Sequence, residues 1–206
     1  MNKNGLVYTI VFSFGITFIL VFLLALANES TIEIVEQNER VNEYSAVLNA
    51  LGIDFDPRSP QDIIAKYGEI ERVALDDGSL YYRAQVGGQN LIALPYRGAG
   101  IWGTIEIVIG MKADLTRFTG LTIVSHSETP GLGARIEESW FTDQFVNQRI
   151  PETGSIDFVR GAGTGDTDKD NTQVDAITGA TGTSNSMRRI IASGLDKIRG
   201  IVGGNS

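Results

Sequence analysis

The chain has 206 residues, 42% hydrophobic and 20% charged, with a formal net charge of −8; once an apolar N-terminal segment is set aside, this suffices for one packed domain. The charge excludes a nucleic-acid-binding protein with a basic face and electrostatic docking onto anionic lipid. With no cysteine and a single histidine, His126, disulfides, iron–sulfur clusters and thiolate nucleophiles are excluded and a zinc site is unsupported, so redox work falls to an organic cofactor.

From Gly5 to about Ala27 the chain is apolar and carries no charged residue. At 1.5 Å per residue such a helix crosses the ~30 Å hydrocarbon core of a bilayer. Ala25-Leu26-Ala27 has the small-x-small spacing of a signal-peptide cleavage site, but the apolar run exceeds the roughly 7–15 residues of a signal core, so a retained anchor is expected. Lys3 before the span and Glu29, Glu33 and Glu36 after it point the N-terminus to the cytoplasm and the remainder outside.

Beyond the span, apolar positions at Ile32, Ile34, Val35, Val41, Val47, Leu48 and Leu51 predict a stalk helix over Thr31 to Leu51 that ends by packing on the domain. Asp54 to Pro60 is a polar break, and a short helix follows around Gln61 to Tyr67. Strands are predicted over Leu80 to Gln85, Leu91 to Leu94, Thr104 to Met111 and Leu121 to Val124, with turns at Asp77-Gly78 and Gly87-Gly88. The alternation that begins at Thr104 predicts a sheet with one wet face. Glu137 to Asn147 reads as an amphipathic helix carrying Trp140, Phe141 and Phe145, and Arg160 to Asn171 as a surface loop. Ser184 or Asn185 is the expected cap of a final helix that buries Met187, Ile190, Ile191, Leu195 and Ile198. The fold class is α+β: a single N-terminal transmembrane helix, then one domain with a small antiparallel sheet and packed helices. The expected division is 1–28 anchor, 29–60 stalk helix and linker, and 61–206 domain.

Three segments carry candidate chemistry. In Asp175-Ala-Ile-Thr-Gly-Ala-Thr181, the Thr181 hydroxyl stands among Gly179, Ala180 and Gly182 just before a helix, where unpaired backbone N–H groups favour an anion. Read plainly, the same string is a tight strand-to-helix connection with threonine as a cap. In Glu128-Thr-Pro-Gly-Leu-Gly133, Pro130 fixes the chain direction and Gly131 and Gly133 permit close backbone approach. Leu132 is then either displayed on the loop or plugs the core. Gly98-Ala-Gly-Ile-Trp-Gly103 sets Trp102 in a glycine-rich run before a strand; alone, such a tryptophan is more often core. For His126 a positional hydrogen bond is favoured over proton transfer. The Asp166–Asp170 run lacks the spacing and glutamate of a calcium loop, so no metal site is expected. No dinucleotide-binding glycine motif leads into a suitable helix and acid, leaving direct NADH binding unsupported.

Anchor, stalk, GAGIWG, ETPGLG and DAITGAT, in that order, resemble the FMN-binding subunits of ion-translocating redox complexes: the C subunit of the Na+-translocating NADH:quinone oxidoreductase (NQR) and the G subunit of the Rnf complex. The chain is shorter than typical quinone-reductase C subunits, whereas its GIWG and TGATGTSN strings look more like that side, so the parent complex stays open. The resemblance implies FMN held covalently as a phosphodiester on Thr181, installed from FAD by a flavin transferase with release of AMP. Asp175, Thr178, Gly179, Ala180 and Gly182 would surround the attachment. Ile101 and Trp102 would contact the isoalloxazine from one side, and Thr129, Gly131 and Leu132 from another. It further implies an electron-carrying protein of such a complex, with no catalytic residues of its own. Its partners would be the other proteins of a membrane redox complex, the transferase and the membrane, but no nucleic acid. The location implied is the bacterial inner membrane, single-pass, with the FMN domain on the periplasmic side. The alternative is a membrane-anchored FMN-binding sensor or assembly module; a free-standing flavin reductase would need an acid–base set that the sequence does not display.

Overall fold

The computed structural model describes residues 3–75, 77–161 and 163–203. Its first element is the long helix α1, Lys3–Leu51, and the chain divides into two compact units, Met1–Val41 and Asn42–Ser206. Within the first unit, the large apolar side chains between Leu6 and Leu26 are all exposed. A helix that is apolar all round, unburied and long enough to cross a bilayer matches lipid rather than water.

In the second unit, α2 (Pro60–Tyr67) starts one residue earlier than expected, taking in Pro60 from the predicted break, with the Ser59 hydroxyl accepting from the Asp62 N–H. Five strands follow: β1 (Glu71–Ala74), β2 (Leu80–Val86), β3 (Gln89–Ala99), β4 (Thr104–Lys112) and β5 (Phe118–Ser125). They form one antiparallel sheet in sequence order. β3 runs through Pro95 because its pairing with β2 ends at Tyr82↔Ala93; beyond that point a missing N–H on that side removes no ladder bond.

On one face of the sheet lies α4, Thr181–Gly203. Its Met187, Ile190, Ile191, Leu195 and Ile198 share a core with Ile105, Ile107, Ile109 and Met111 of β4. Two glycines let helix and sheet close up: a Cβ on Gly98 would lie 2.6 Å from Ile190 Cγ1, and one on Gly194 would lie 2.7 Å from Ile109 Cδ1. The opposite face is not wet, contrary to expectation. The last turns of α1 cover it, with Ala46, Val47, Leu48, Ala50 and Leu51 buried. Gly110 pairs with Gly120 there, and a Cβ on Gly110 would come 1.7 Å from the Ala50 carbonyl oxygen, which also accepts from Thr119 Oγ1 at 2.6 Å. Only glycine admits a helix backbone so close.

One further expectation is corrected. The helix over 137–147 is broken into a 3-10 turn (Gly133–Glu137), the single-turn α3 (Ser139–Thr142) and a second 3-10 turn (Asp143–Phe145), because Glu138 is extended, with ψ 138°. Phe141 and Phe145 are still buried, edge-on to one another, and Phe145 meets Phe118 edge-on as well. The loop over 160–171 is flanked by short strands, β6 (Asp157–Val159) and β7 (Gln173–Asp175), which pair in parallel.

Candidate functional site

The start of α4 is built by a tight turn. The Ala180 N–H donates to the Ile177 carbonyl at 3.1 Å and Gly179 has φ 83°, a type II arrangement that requires glycine at its third position. The Ser184 hydroxyl accepts from the Ile177 N–H at 3.0 Å and donates to the Ala180 carbonyl at 3.1 Å. That carbonyl also receives the Ser184 N–H at 3.0 Å, so Ala180 holds the cap position and Thr181 opens the helix. This corrects the expected cap at Ser184 or Asn185: the helix begins earlier because Ser184 fastens the turn instead of starting the helix. It also removes the plain reading of Thr181 as a cap. Thr181 is exposed, and its hydroxyl has no partner among the described residues.

Two loops meet this turn. The β3–β4 hairpin closes with the Gly100 N–H donating to the Gly103 carbonyl at 2.7 Å. It displays Ile101, 51% exposed, and Trp102, 71% exposed, so Trp102 is not core. The second loop turns at Gly131, φ 73°, with the Thr129 carbonyl accepting from the N–H groups of Leu132 and Ala134. Leu132 is 47% exposed and plugs no core. A Cβ on Gly182 would lie 2.8 Å from Ile101 Cδ1, and one on Gly179 would lie 3.6 Å from Leu132 Cδ2. The two apolar side chains thus flank the Thr178–Gly182 segment, whose own glycines leave it open.

Beneath this platform lies Glu128, only 4% exposed. Its Oε1 accepts from the N–H groups of Ile101 at 2.7 Å and Trp102 at 3.2 Å, and its Oε2 accepts from the Thr183 hydroxyl at 2.5 Å. Burial by itself would raise this carboxyl. The bonds from Thr183, Ile101 and Trp102, with His126 nearby, outweigh it and hold the group below the usual glutamate range. His126 Nδ1 accepts from the Glu128 N–H at 3.0 Å, the positional role favoured for it. Its Nε2 lies 3.0 Å from Glu137 Oε1, off hydrogen-bonding alignment.

Asp175 stands apart from this group. It is buried, its Oδ2 accepts from the Gly163 N–H at 3.2 Å, and a Cβ on Gly161 would fall 1.6 Å from its Oδ1. The Gln144 amide brackets its backbone, accepting from the Asp175 N–H at 2.7 Å and donating to the Asp175 carbonyl at 3.1 Å. Glu128, Thr183 and Ser184 were not among the expected cofactor-binding residues, although Glu128 begins the ETPGLG string; a carboxylate amid glycines was the available signal. Among the described residues there is no cluster of His, Asp or Glu able to hold a metal.

A cavity of about 600 Å³ is lined by Tyr82, Tyr96, Glu106 and Lys197 among others and by no residue of the three motifs. With Ile101, Trp102 and Leu132 exposed, the site is a platform. It offers exposed apolar and aromatic side chains for a flat ring and a helix N-terminus beside a free hydroxyl for an anionic group, which suits a flavin nucleotide.

Comparison with known proteins agrees. The FMN-binding domain family matches residues 100–196. The G subunit of an ion-translocating oxidoreductase complex from Methanosarcina acetivorans is 32% identical over 128 residues, covering 60% of this chain and 62% of that protein. The C subunit of a Na(+)-translocating NADH-quinone reductase from Chlamydia muridarum is 32% identical over 123 residues, covering 52% of this chain and 39% of that protein. The chain thus spans less than two thirds of the length of these relatives. The crystal structure of the Na(+)-translocating NADH-quinone reductase C subunit from Parabacteroides distasonis has the same fold, with a TM-score of 0.67 at 23% identity over 82% of this chain and 95% of that one. Residues 100–196 thus match the FMN-binding domain family, and this chain is similar to the NQR C and Rnf G proteins.

Proposed function

We propose that the chain carries FMN covalently on Thr181 and serves as a fixed electron carrier in a membrane-bound, ion-translocating redox complex of the NQR or Rnf type. The observation that carries this reading is the Thr181 hydroxyl, without a partner among the described residues, at the first residue of α4, in a segment flanked by Ile101 and Leu132. Of the other threonines in the segment, Thr183 is buried with its hydroxyl given to Glu128, whereas Thr178 is exposed but precedes the helix.

In the attachment step, Thr181 Oγ loses its proton and bonds to the FMN phosphorus of FAD. The pyrophosphate bond breaks and AMP leaves, in a reaction run by a separate flavin transferase. The resulting phosphodiester keeps one negative charge. The N–H groups of Thr181, Gly182 and Thr183 are placed to receive it, while that of Ser184 is already committed to Ala180. Ile101 and Trp102 on one side, and Leu132 with the Thr129–Gly131 turn on the other, would hold the ring. The bound group supplies reversible electron uptake; the protein supplies position and a local field. A covalent tether keeps the carrier at its station independently of free FMN.

The one helix among the described residues that is long and apolar enough to cross a membrane offers too few intramembrane groups for an ion path, so ion movement falls to partner proteins of the complex. The Lys3 and Glu29–Glu36 asymmetry supports an extracytoplasmic domain. The test is the mass of the full chain made beside its transferase. An added FMN phosphodiester is expected; an unmodified mass would favour the sensor or assembly-module reading instead.

A further inference from the structure

Ile101 and Trp102 pose a physical question. A hairpin tip with two large apolar residues would ordinarily turn them onto the neighbouring core, yet both face outward, 51% and 71% exposed. Their backbones supply the answer, since both N–H groups point inward onto the same buried oxygen, Glu128 Oε1. A backbone turned inward at successive residues leaves the side chains outside. The other oxygen, Oε2, takes the hydroxyl of Thr183, two residues beyond Thr181 in the first turn of α4.

The surroundings are shaped to admit this carboxylate. A Cβ on Gly100 would come 2.5 Å from Oε1, and a Cβ on Gly133 would come 2.7 Å from Oε2 and 2.5 Å from Thr183 Oγ1. Glycines therefore stand on both sides of it, in the two loops that build the platform. The backbone of Glu128 is fixed in turn by His126 Nδ1.

We propose that Glu128 is the positioning residue of the site: its buried carboxylate ties the 101–102 backbone to the first turn of α4 and so holds Ile101 and Trp102 displayed beside Thr181. The tie itself rests on this structure alone; its consequence for a bound ring rests on the FMN reading above.

The test uses the full chain purified without flavin, and amide hydrogen exchange resolved at Ile101 and Trp102. In the wild type both amides are expected to be protected, although they sit at an exposed hairpin tip. Glu128→Ala is expected to speed their exchange at least tenfold while Leu94 and Ile109 in the sheet stay protected. Glu128→Gln, whose amide oxygen can still accept, should restore most of the protection. Gly133→Ala provides a second route: its added methyl presses on Glu128 and Thr183, and it should also unprotect Ile101 and Trp102. If these amides exchange equally fast in the wild type, Glu128→Ala and Gly133→Ala, the proposal is overturned.

The same variants loaded with flavin beside the transferase give the second readout. A shifted flavin absorbance band and midpoint potential are expected in Glu128→Ala, with a smaller shift in Glu128→Gln. Lost protection with unmoved band and potential overturns the positioning role toward the ring. Lost protection in a chain that takes no flavin even as wild type upholds the tie and overturns the FMN reading instead.

Discussion

Glu128 and Asp175 are both buried carboxylates lodged where a glycine leaves room, yet they fasten different things. Glu128 draws its donors from two separate segments, the 101–102 turn and α4, and what it fastens is open, a pair of apolar side chains left facing solvent. Asp175 draws the Gly163 N–H onto itself and presses against Gly161, and what it fastens is closed, the loop that joins β6 to β7. The same device, a buried carboxylate satisfied by hydrogen-bond donors, serves display in one place and closure in the other. Thr181 lies between them, six residues after Asp175 in sequence and two before the Thr183 hydroxyl that Glu128 holds.

The sharpest break in this comparison comes at Thr181. Thr181→Ala is expected to abolish covalent flavin entirely while the fold persists, because it removes the free hydroxyl and leaves both carboxylates in place. In-gel flavin fluorescence after denaturation checks this, with Thr178→Val as the variant that keeps its flavin band. A band surviving in Thr181→Ala places the linkage elsewhere.

Next in size is the closing anion. Gly161→Ala puts a methyl where Asp175 Oδ1 now lies, 1.6 Å from it, and is expected to destabilise the domain by about 2–3 kcal/mol. Denaturant unfolding measures this. Stability within about 0.5 kcal/mol of the wild type would mean that the loop yields freely and that Asp175 closes nothing.

The displaying anion should reveal itself through pH. Its folded carboxyl titrates below the ordinary glutamate value, so the stability it contributes is present above that value and is lost as pH falls through the lower, folded one. Glu128→Gln should therefore flatten the dependence of unfolding free energy on pH as pH falls below the ordinary glutamate value of about 4.3. A slope unchanged by the substitution contradicts the assignment. The smallest expected effect is Trp102→Ala, which should leave the covalent bond intact and weaken ring contact by roughly 0.5–1.5 kcal/mol, seen as a shift in flavin absorbance. An unmoved spectrum removes Trp102 from the platform.

The elements legible in the sequence were those whose signal is local. The long apolar N-terminal helix, α2 to within a residue, four of the five strands of the meander (β1 excepted) and the buried stripe of α4 follow from composition and periodicity among near neighbours. The platform residues were marked by strings: Ile101 and Trp102 between glycines, Leu132 between Gly131 and Gly133, and Thr181 after Gly179 and Ala180.

Other features escaped because they depend on partners beyond the local string. The covered second face of the sheet depends on Ala50 meeting Gly110 and Gly120. The opening of α4 at Thr181 depends on Ser184 reaching back to Ile177. The outward turn of Trp102 depends on a carboxylate 26 residues away, and the hydroxyl that completes the tie stands 55 residues from Glu128. By itself the sequence determined which residues are apolar, which are small and where the backbone can turn, since those properties belong to each residue and its near neighbours. Only the tertiary structure decided which buried anion meets which donor, because a desolvated charge is stable solely where the fold brings hydrogen-bond partners to it.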